Sequence, residues 1–302
     1  MIDLRRVRYF VAVAEELHFG RAAARLGISQ PPLSQQLQAL EQDLGARLLH
    51  RNKRQVSLTE AGQLFLPEAR ALLAQAERAA SIAARAARGE LGTLRVGFTE
   101  SAVLTGALPN LLSRFRERHP AVAVQLIEET SQEQIQALLD GRCDVGFMRL
   151  PASGAFPAEL DAYPLLSDPL VAVLPRQHRL ADASEALGVA ELAQEPFVFF
   201  APGAGTGVYS QVLNLCRAAG YAPRVAQEAR EVMTIAGLVA ARLGVSILPA
   251  SVRRLDVAGV VIRTLREPEA ASKLWLASRR DGASATGAAF RRLAMGPEPA
   301  SL

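Results

Sequence analysis

Cysteine is nearly missing from this chain: 302 residues contain only Cys143 and Cys216. A disulfide-framed secreted fold needs several paired cysteines, so these two read as reduced core residues. Histidine is also scarce. His18, His50, His119 and His178 stand far apart in no ligand pattern, so no metal site is expected. No run of about 18 apolar residues occurs, which argues against a membrane-spanning helix. The opening MIDLRRVRYF places charge where a secretory signal would need an apolar core, so a cytoplasmic location is expected. Catalytic machinery is equally absent. There is no G-x-S-x-G elbow and no histidine beside a plausible serine, and the glycine-rich stretch APGAGTG lacks the lysine of a phosphate-binding loop. Neither an enzyme nor a cofactor is expected.

Excess charge is missing from most of the chain. Residues 91–302 carry 21 Arg/Lys and 21 Asp/Glu, whereas residues 1–90 carry 13 against 9, so the whole net charge of +4 lies in the first 90 residues. A local positive excess fits a nucleic-acid footprint on one domain; it also fits a solvated surface, and charge by itself leaves both readings open. Half of the residues are hydrophobic and 21% are charged, the balance of a globular chain long enough for more than one core.

Leu4, Val7, Phe10, Val11 and Ala14 recur at helical spacing and predict an amphipathic first helix. A short second helix fits Phe19–Leu26, where Ala22, Ala23 and Ala24 would let another helix approach closely. Gly27 ends it, because glycine accepts the left-handed conformation just past a helix. Ser29 is placed to cap a third helix from Gln30, and Pro31 and Pro32 fall in its first turn, where no N–H is needed. Leu33, Leu37, Leu40 and Leu44 share one face of it. Pro31, Gln35, Gln38 and Gln42 share the opposite face, with Ser34 on the flank. Helix, glycine turn and helix with a polar outer face is the plan of a helix-turn-helix DNA reader. Glutamine bonds adenine bidentately, and serine reaches a base or a phosphate. The competing reading is a glutamine-rich solvated helix.

Next, Leu48-Leu49 and the alternating Val56 and Leu58 flank Arg51, Lys53 and Arg54. That pattern is a two-stranded wing whose basic tip suits a minor groove, or else an ordinary loop. Thr59 caps a long helix reaching residue 88. Its Leu66, Ala69, Leu73, Ala76, Ala80, Ala83 and Ala87 follow the 3,4 alternation of a coiled-coil seam, which implies a homodimer through this helix. Pro67 is expected to kink its first turns.

Gly89 to Gly92 read as a hinge. Beyond it, strands at residues 94–98, 122–127 and 145–150 alternate with helices at 108–118 and 132–139, an order that implies a parallel sheet covered by helices. A second set holds strands at 169–174, 197–200 and 245–248, a helix after Gly207 and another at 232–242. Strands at 260–265 and 273–277 return toward the first lobe. The expected fold class is therefore α/β: an N-terminal winged helix-turn-helix (1–58), a long linker helix (59–89), and a C-terminal two-lobed α/β domain (90–302) like a periplasmic binding protein. Lobe I spans about 90–164 and 268–302, and lobe II about 165–267.

Ligands of open α/β sheets lie at the carboxyl ends of strands, near helix N-termini. That rule nominates Thr99, Glu100 and Ser101, then Thr130 and Ser131, and Arg149. Across the cleft it nominates Pro202, Gly203 and Thr206 in the loop before the helix at Gly207. Each residue also has a structural reading, as a strand end, a helix cap, or, for Arg149, a partner of Glu128 or Glu129. Glu100 would repel an anion unless Arg149 neutralises it or it points outward. Their convergence on one cleft points to a small effector, an organic acid.

The chain resembles the LysR-type transcriptional regulators. The resemblance rests on LRRVRYFVAVAEELHFGRAAARLGISQPPLSQQLQALEQDLGARLLHR with RQVSLTEAG, and it continues in LRVGFTES, CDVGFMRL and GLVAARLGVSILPAS. Within that family the match looks closest to the subgroup governing aromatic-compound catabolism. The resemblance implies promoter DNA as partner, a small-molecule effector, a tetramer, and DNA contacts at Gln30, Pro31, Pro32, Ser34, Gln35 and Arg54; Gln38 and Arg51 are added by their placement. It sets effector contacts nearest to Ser101, Ser131, Arg149 and Pro202. Many members have arginine where this chain has Gln35, which puts that contact in doubt. Two other functions compete: an enzyme or other cytoplasmic small-molecule-binding protein on a two-lobed frame, and a solute-binding protein of a transporter.

Overall fold

The computed structural model describes residues 2–51, 56–149, 155–182, 184–202 and 207–296. The chain divides into two units, Met1–Arg85 and Ala86–Leu302.

The first unit holds α1 (Leu4–Glu16), α2 (Phe19–Leu26), α3 (Gln30–Leu44), the antiparallel pair β1 (Leu49–Arg51) and β2 (Val56–Leu58), and the start of α4 (Glu60–Ala87). The apolar faces read from periodicity form its core: Val7, Phe10, Val13, Leu33, Leu37 and Leu40 are buried together. Gly27 closes α2 at φ +68°, as expected. Ser29 occupies the cap position of α3, but its hydroxyl makes no capping bond. Thr59 caps α4: its Oγ1 accepts the Gly62 N–H at 2.9 Å while donating to the Arg47 carbonyl at 2.6 Å. Gly62 is required there, because a Cβ would overlap the Leu48 carbonyl oxygen. The expected seam of α4 divides in two. Leu66, Ala69 and Leu73, with Phe65, pack into the core of this unit, whereas Ala80, Ile82 and Ala83 are exposed. Pro67 lies inside α4, which is assigned as one unbroken helix.

The second unit has two lobes. Lobe I contains β3 (Gly92–Phe98), α5 (Glu100–Leu104), α6 (Ala107–Arg118), β4 (Val122–Glu128), α7 (Ser131–Leu139) and β5 (Val145–Arg149). A 16-residue strand, β6 (Leu160–Pro175), then crosses to lobe II. Lobe II contains β7 (Pro196–Phe200), α8 (Gly207–Ala218), β8 (Arg224–Ala229), α9 (Val232–Ala240), β9 (Ser246–Pro249) and β10 (Val260–Thr264). The chain returns through β11 (Ala271–Arg279) to α10 (Ala285–Met295) in lobe I. The sheet containing β6 runs β10-β6-β11-β5-β3-β4, with β9 also on β6; β7 and β8 pair separately. β3 is parallel to β4 and β5, as the β-α-β order implies, but β6, β9, β10 and β11 pair antiparallel. The sheet is therefore mixed, because the crossover strands enter each lobe against its direction. β6 pairs with β11 through Pro169 and with β9 and β10 beyond it. Each lobe has its own core, around Phe115, Phe147 and Phe290 in lobe I and Phe197, Ile235 and Leu248 in lobe II. Cys143 and Cys216 are buried, and burial pushes the Cys143 thiol up to about 11, away from reactivity. Among the described residues no helix is long and apolar enough to cross a membrane.

Candidate nucleic-acid interface and ligand cleft

The outer face of α3 is open to solvent. Gln30, Pro31, Pro32, Gln35 and Gln38 are exposed and Ser34 is half-buried. Two buttresses fix this helix. Arg6 on α1 donates to Gln36 Oε1 at 3.0 Å and to Asp43 at 2.6 Å. Glu41 Oε1 accepts the N–H groups of Leu48 and Leu49 at 2.9 and 3.1 Å, tying the wing to α3. Gln38 then borders an open groove with Gln42, Arg47 and His50. Arg51 is placed by its backbone in β1, and Arg54 lies outside the described residues.

In the second unit a cavity of about 330 Å³ opens between the lobes. One wall comes from the strand ends of lobe I: Thr99, Glu100 and Ser101 after β3, Ser131 at the start of α7, and Arg149 at the end of β5. The other comes from Phe200, Val208, Glu231, Val232 and Pro249 in lobe II and the adjoining strands. Thr130 caps α7 in a reciprocal box with Glu133, so its hydroxyl is used locally. The backbone bond from Thr130 holds the Glu133 carboxyl below its usual range, aided by the Arg230 charge.

Arg149 is buried at 2% exposure. Its Nη2 donates to Asp168 at 2.6 Å, its Nη1 to the Ser272 carbonyl at 3.2 Å, and its Nε to Ser101 Oγ at 3.0 Å. Desolvation lowers its pKa and Asp168 opposes that shift. Asp168 in turn accepts from the Ser251 N–H at 3.1 Å and hydroxyl at 2.8 Å. A chain Arg149–Asp168–Ser251, its first two members buried, thus joins lobe I, the crossover strand and lobe II. Ser131 Oγ accepts the Arg149 N–H at 3.2 Å, and Ser101 and Thr99 share a hydrogen bond at 3.1 Å. Because Ser131 accepts from Arg149, its own O–H proton is free to donate.

Two family descriptions match the chain: "Bacterial regulatory helix-turn-helix protein, lysR family" over residues 4–63 and "LysR substrate binding domain" over residues 87–295. This chain belongs to the LysR family. It is a DNA-binding transcription regulator with a substrate-binding domain. It is 50% identical over 275 residues to the uncharacterized transcriptional regulator YnfL of Escherichia coli, covering 91% of each chain. It is 38% identical to the regulator AlsR of Bacillus subtilis, over 93% of this chain and 91% of that one. Among solved structures it is similar to CbnR, a LysR-family transcriptional regulator, with TM-score 0.79 and 30% identity over 97% of this chain and all of that one. CbnR complexed with its target DNA gives TM-score 0.76 at the same identity and coverage.

In this LysR-family chain the cavity brings together six of the residues nominated from sequence: Thr99, Glu100, Ser101, Thr130, Ser131 and Arg149. Three corrections follow. Arg149 is not an available counter-charge, because Asp168 already neutralises it; its partner is neither Glu128 nor Glu129. Glu100 neither pairs with Arg149 nor points outward; it accepts the Val232 N–H across the cleft at 3.2 Å. Pro202 is exposed and does not line the cavity. Gly203 and Thr206 lie outside the described residues. Sequence reasoning missed Glu231, Val232 and Asp168. The first two follow β8, whose polar RVAQEA gives no strand signal. Asp168 sits in β6 between Ser167 and Pro169, a grouping that reads as a loop.

Proposed function

We propose that this regulator reads promoter DNA with α3 and its wing and responds to a small organic acid held between its lobes. Gln30, Pro31, Pro32, Ser34, Gln35 and Gln38, joined by Arg51 and Arg54, form the DNA-reading surface. Support comes from the exposed polar face of α3 and from the likeness to CbnR, solved with its target DNA. Residues 1–58 read DNA, 59–89 link subunits, and 90–302 bind the effector. The exposed Ala80, Ile82 and Ala83 stretch of α4 suits a homodimer, with a tetramer as the full assembly, in the cytoplasm.

The observation that carries the effector reading is the cavity itself. Hydroxyls of Thr99, Ser101 and Ser131 face it on one side, and the N-termini of α7, α8 and α9 open around it. Phe200, Val208 and Pro249 supply an apolar wall. Hydroxyl and N–H donors hold a carboxylate without a free cation, and the apolar wall suits a hydrocarbon body. A ligand touching both lobes shifts the population toward the shut form. The test is calorimetry with benzoate and cis,cis-muconate on wild type and Ser131→Ala. Losing a hydrogen bond to a charged group should weaken binding by about tenfold to a hundredfold. If neither acid binds, or Ser131→Ala binds equally well, the effector class or the site is wrong.

A further inference from the structure

Two carboxyl groups line the cleft from opposite lobes. Glu100 begins α5 on lobe I, and Glu231 caps α9 on lobe II. Both residues line the same cavity, and Glu231 is among the causes that raise the Glu100 carboxyl. Two ionised carboxylates offer only acceptors, so a hydrogen bond between them requires one proton. Glu100 Oε2 also accepts the Val232 N–H at 3.2 Å, and Leu104 of the same short helix packs on the lobe II core. The groups around the pair are mostly negative. Glu128, at the end of β4, acts on Glu100 with like charge. Of the nearby cations, Arg149 is bound to Asp168 and Arg254 lies against Gly106 beyond the end of α5, while Arg230 lines the cavity and its charge acts on Glu133. Burial is the largest cause, followed by Glu231, and together with Glu128 they push the Glu100 carboxyl up to about 7.

We propose that Glu100 and Glu231 are the specificity-determining pair of this cleft: they share one proton when the lobes are shut, so the site takes up an organic acid only together with that proton. When the proton leaves to solvent, two carboxylates face each other, with Glu128 beside them. They then repel each other and the carboxylate of the ligand, and the lobes part. An ammonium group on a ligand would replace the proton, whereas an acid cannot. The effector half of this statement rests on the reading of the cavity given above; the shared proton does not.

Glu100 holds its proton in the folded protein to a higher pH than in the unfolded chain. Its contribution to stability is fully present at pH below the ordinary carboxylate range and is lost as pH climbs to about 7.

The experiment is the melting temperature of the full-length protein from pH 5 to 8.5, without ligand, for wild type, Glu100→Gln and Glu231→Gln. A glutamine amide at position 100 donates to Glu231 at every pH. The expected result is that wild type loses several degrees relative to Glu100→Gln as pH rises from 5 to about 7 and levels off above it. In Glu231→Gln the same step should move to lower pH. A constant offset between wild type and Glu100→Gln is what a merely structural Glu100 would give, and it overturns the proposal. If Glu100→Gln does not fold, Glu231→Gln at its exposed position decides, and an unmoved step overturns it. No ligand is used, so parallel melting curves beside successful acid calorimetry remove the proton pair and keep the effector cleft. A pH step beside failed calorimetry does the reverse.

Discussion

The charge of Arg149 is neutralised inside the protein by Asp168 at 2.6 Å. An arginine at a strand end beside hydroxyls has the composition of an anion site, and nothing local reveals that its charge is already matched. Its partner, Asp168, lies 19 residues away on a strand interrupted by prolines, so the pairing emerges only when β6 crosses the lobes. Ser101 and Ser131 were legible because strand ends in α/β folds recur at the ligand; Glu231 was not, because the strand before it is polar. Removing Asp168 tests the corrected role. Asp168→Ala leaves a guanidinium buried without its counter-charge, and should cost about 3–5 kcal/mol in denaturant unfolding. A cost under 1 kcal/mol would show that the pair is not what joins the lobes. At the other unit, Ser34→Ala and Gln35→Ala should each weaken promoter binding by about 1–3 kcal/mol while leaving the melting temperature in place. Anisotropy titrations unchanged for both variants would remove α3 from the base edges.

Elements with strong periodicity were legible, and those governed by tertiary partners were not. α1, α3, α7 and the paired strands β1 and β2 follow from apolar spacing and from Gly27 and Thr59. Only residues 169–174 of β6 read as strand, because Pro164 and Pro169 interrupt the pattern of its first half, and β8 escaped because it is exposed along most of its length. The seam of α4 was read as one continuous dimer surface, and the structure divides it. Ala69 is 1% exposed in the core of its own unit, whereas Ala80 is open. The two positions therefore predict different failures. Ala69→Glu buries an unpaired carboxylate and should unfold the helix-turn-helix. Ala80→Glu should leave circular dichroism unchanged but separate subunits in sedimentation, because its cost arises only where a partner helix covers it. Intact oligomers for Ala80→Glu would move the subunit contact away from this stretch.

At the scale of the whole molecule, charge separates the two halves. All of the net +4 belongs to residues 1–90, and residues 91–302 balance at zero. A neutral sensor half has little long-range pull on a phosphate backbone, so the salt dependence of promoter binding should come from the first unit alone. Each phosphate contact releases condensed counterions, lowering the slope of log affinity against log salt by about 0.9 per contact. Arg54 was assigned to the wing tip from sequence, and β1 and β2 do pair as the arms of that wing. Arg54→Ala should therefore make the slope shallower by about one contact and weaken binding most at low salt. Arg116, exposed on α6 of the sensor half, provides the comparison: Arg116→Ala should leave the slope unchanged. Equal changes for the two variants would mean that the DNA is held by the field of the whole protein. An unchanged slope for Arg54→Ala alone would mean that the wing does not touch the duplex, leaving α3 to supply both affinity and register.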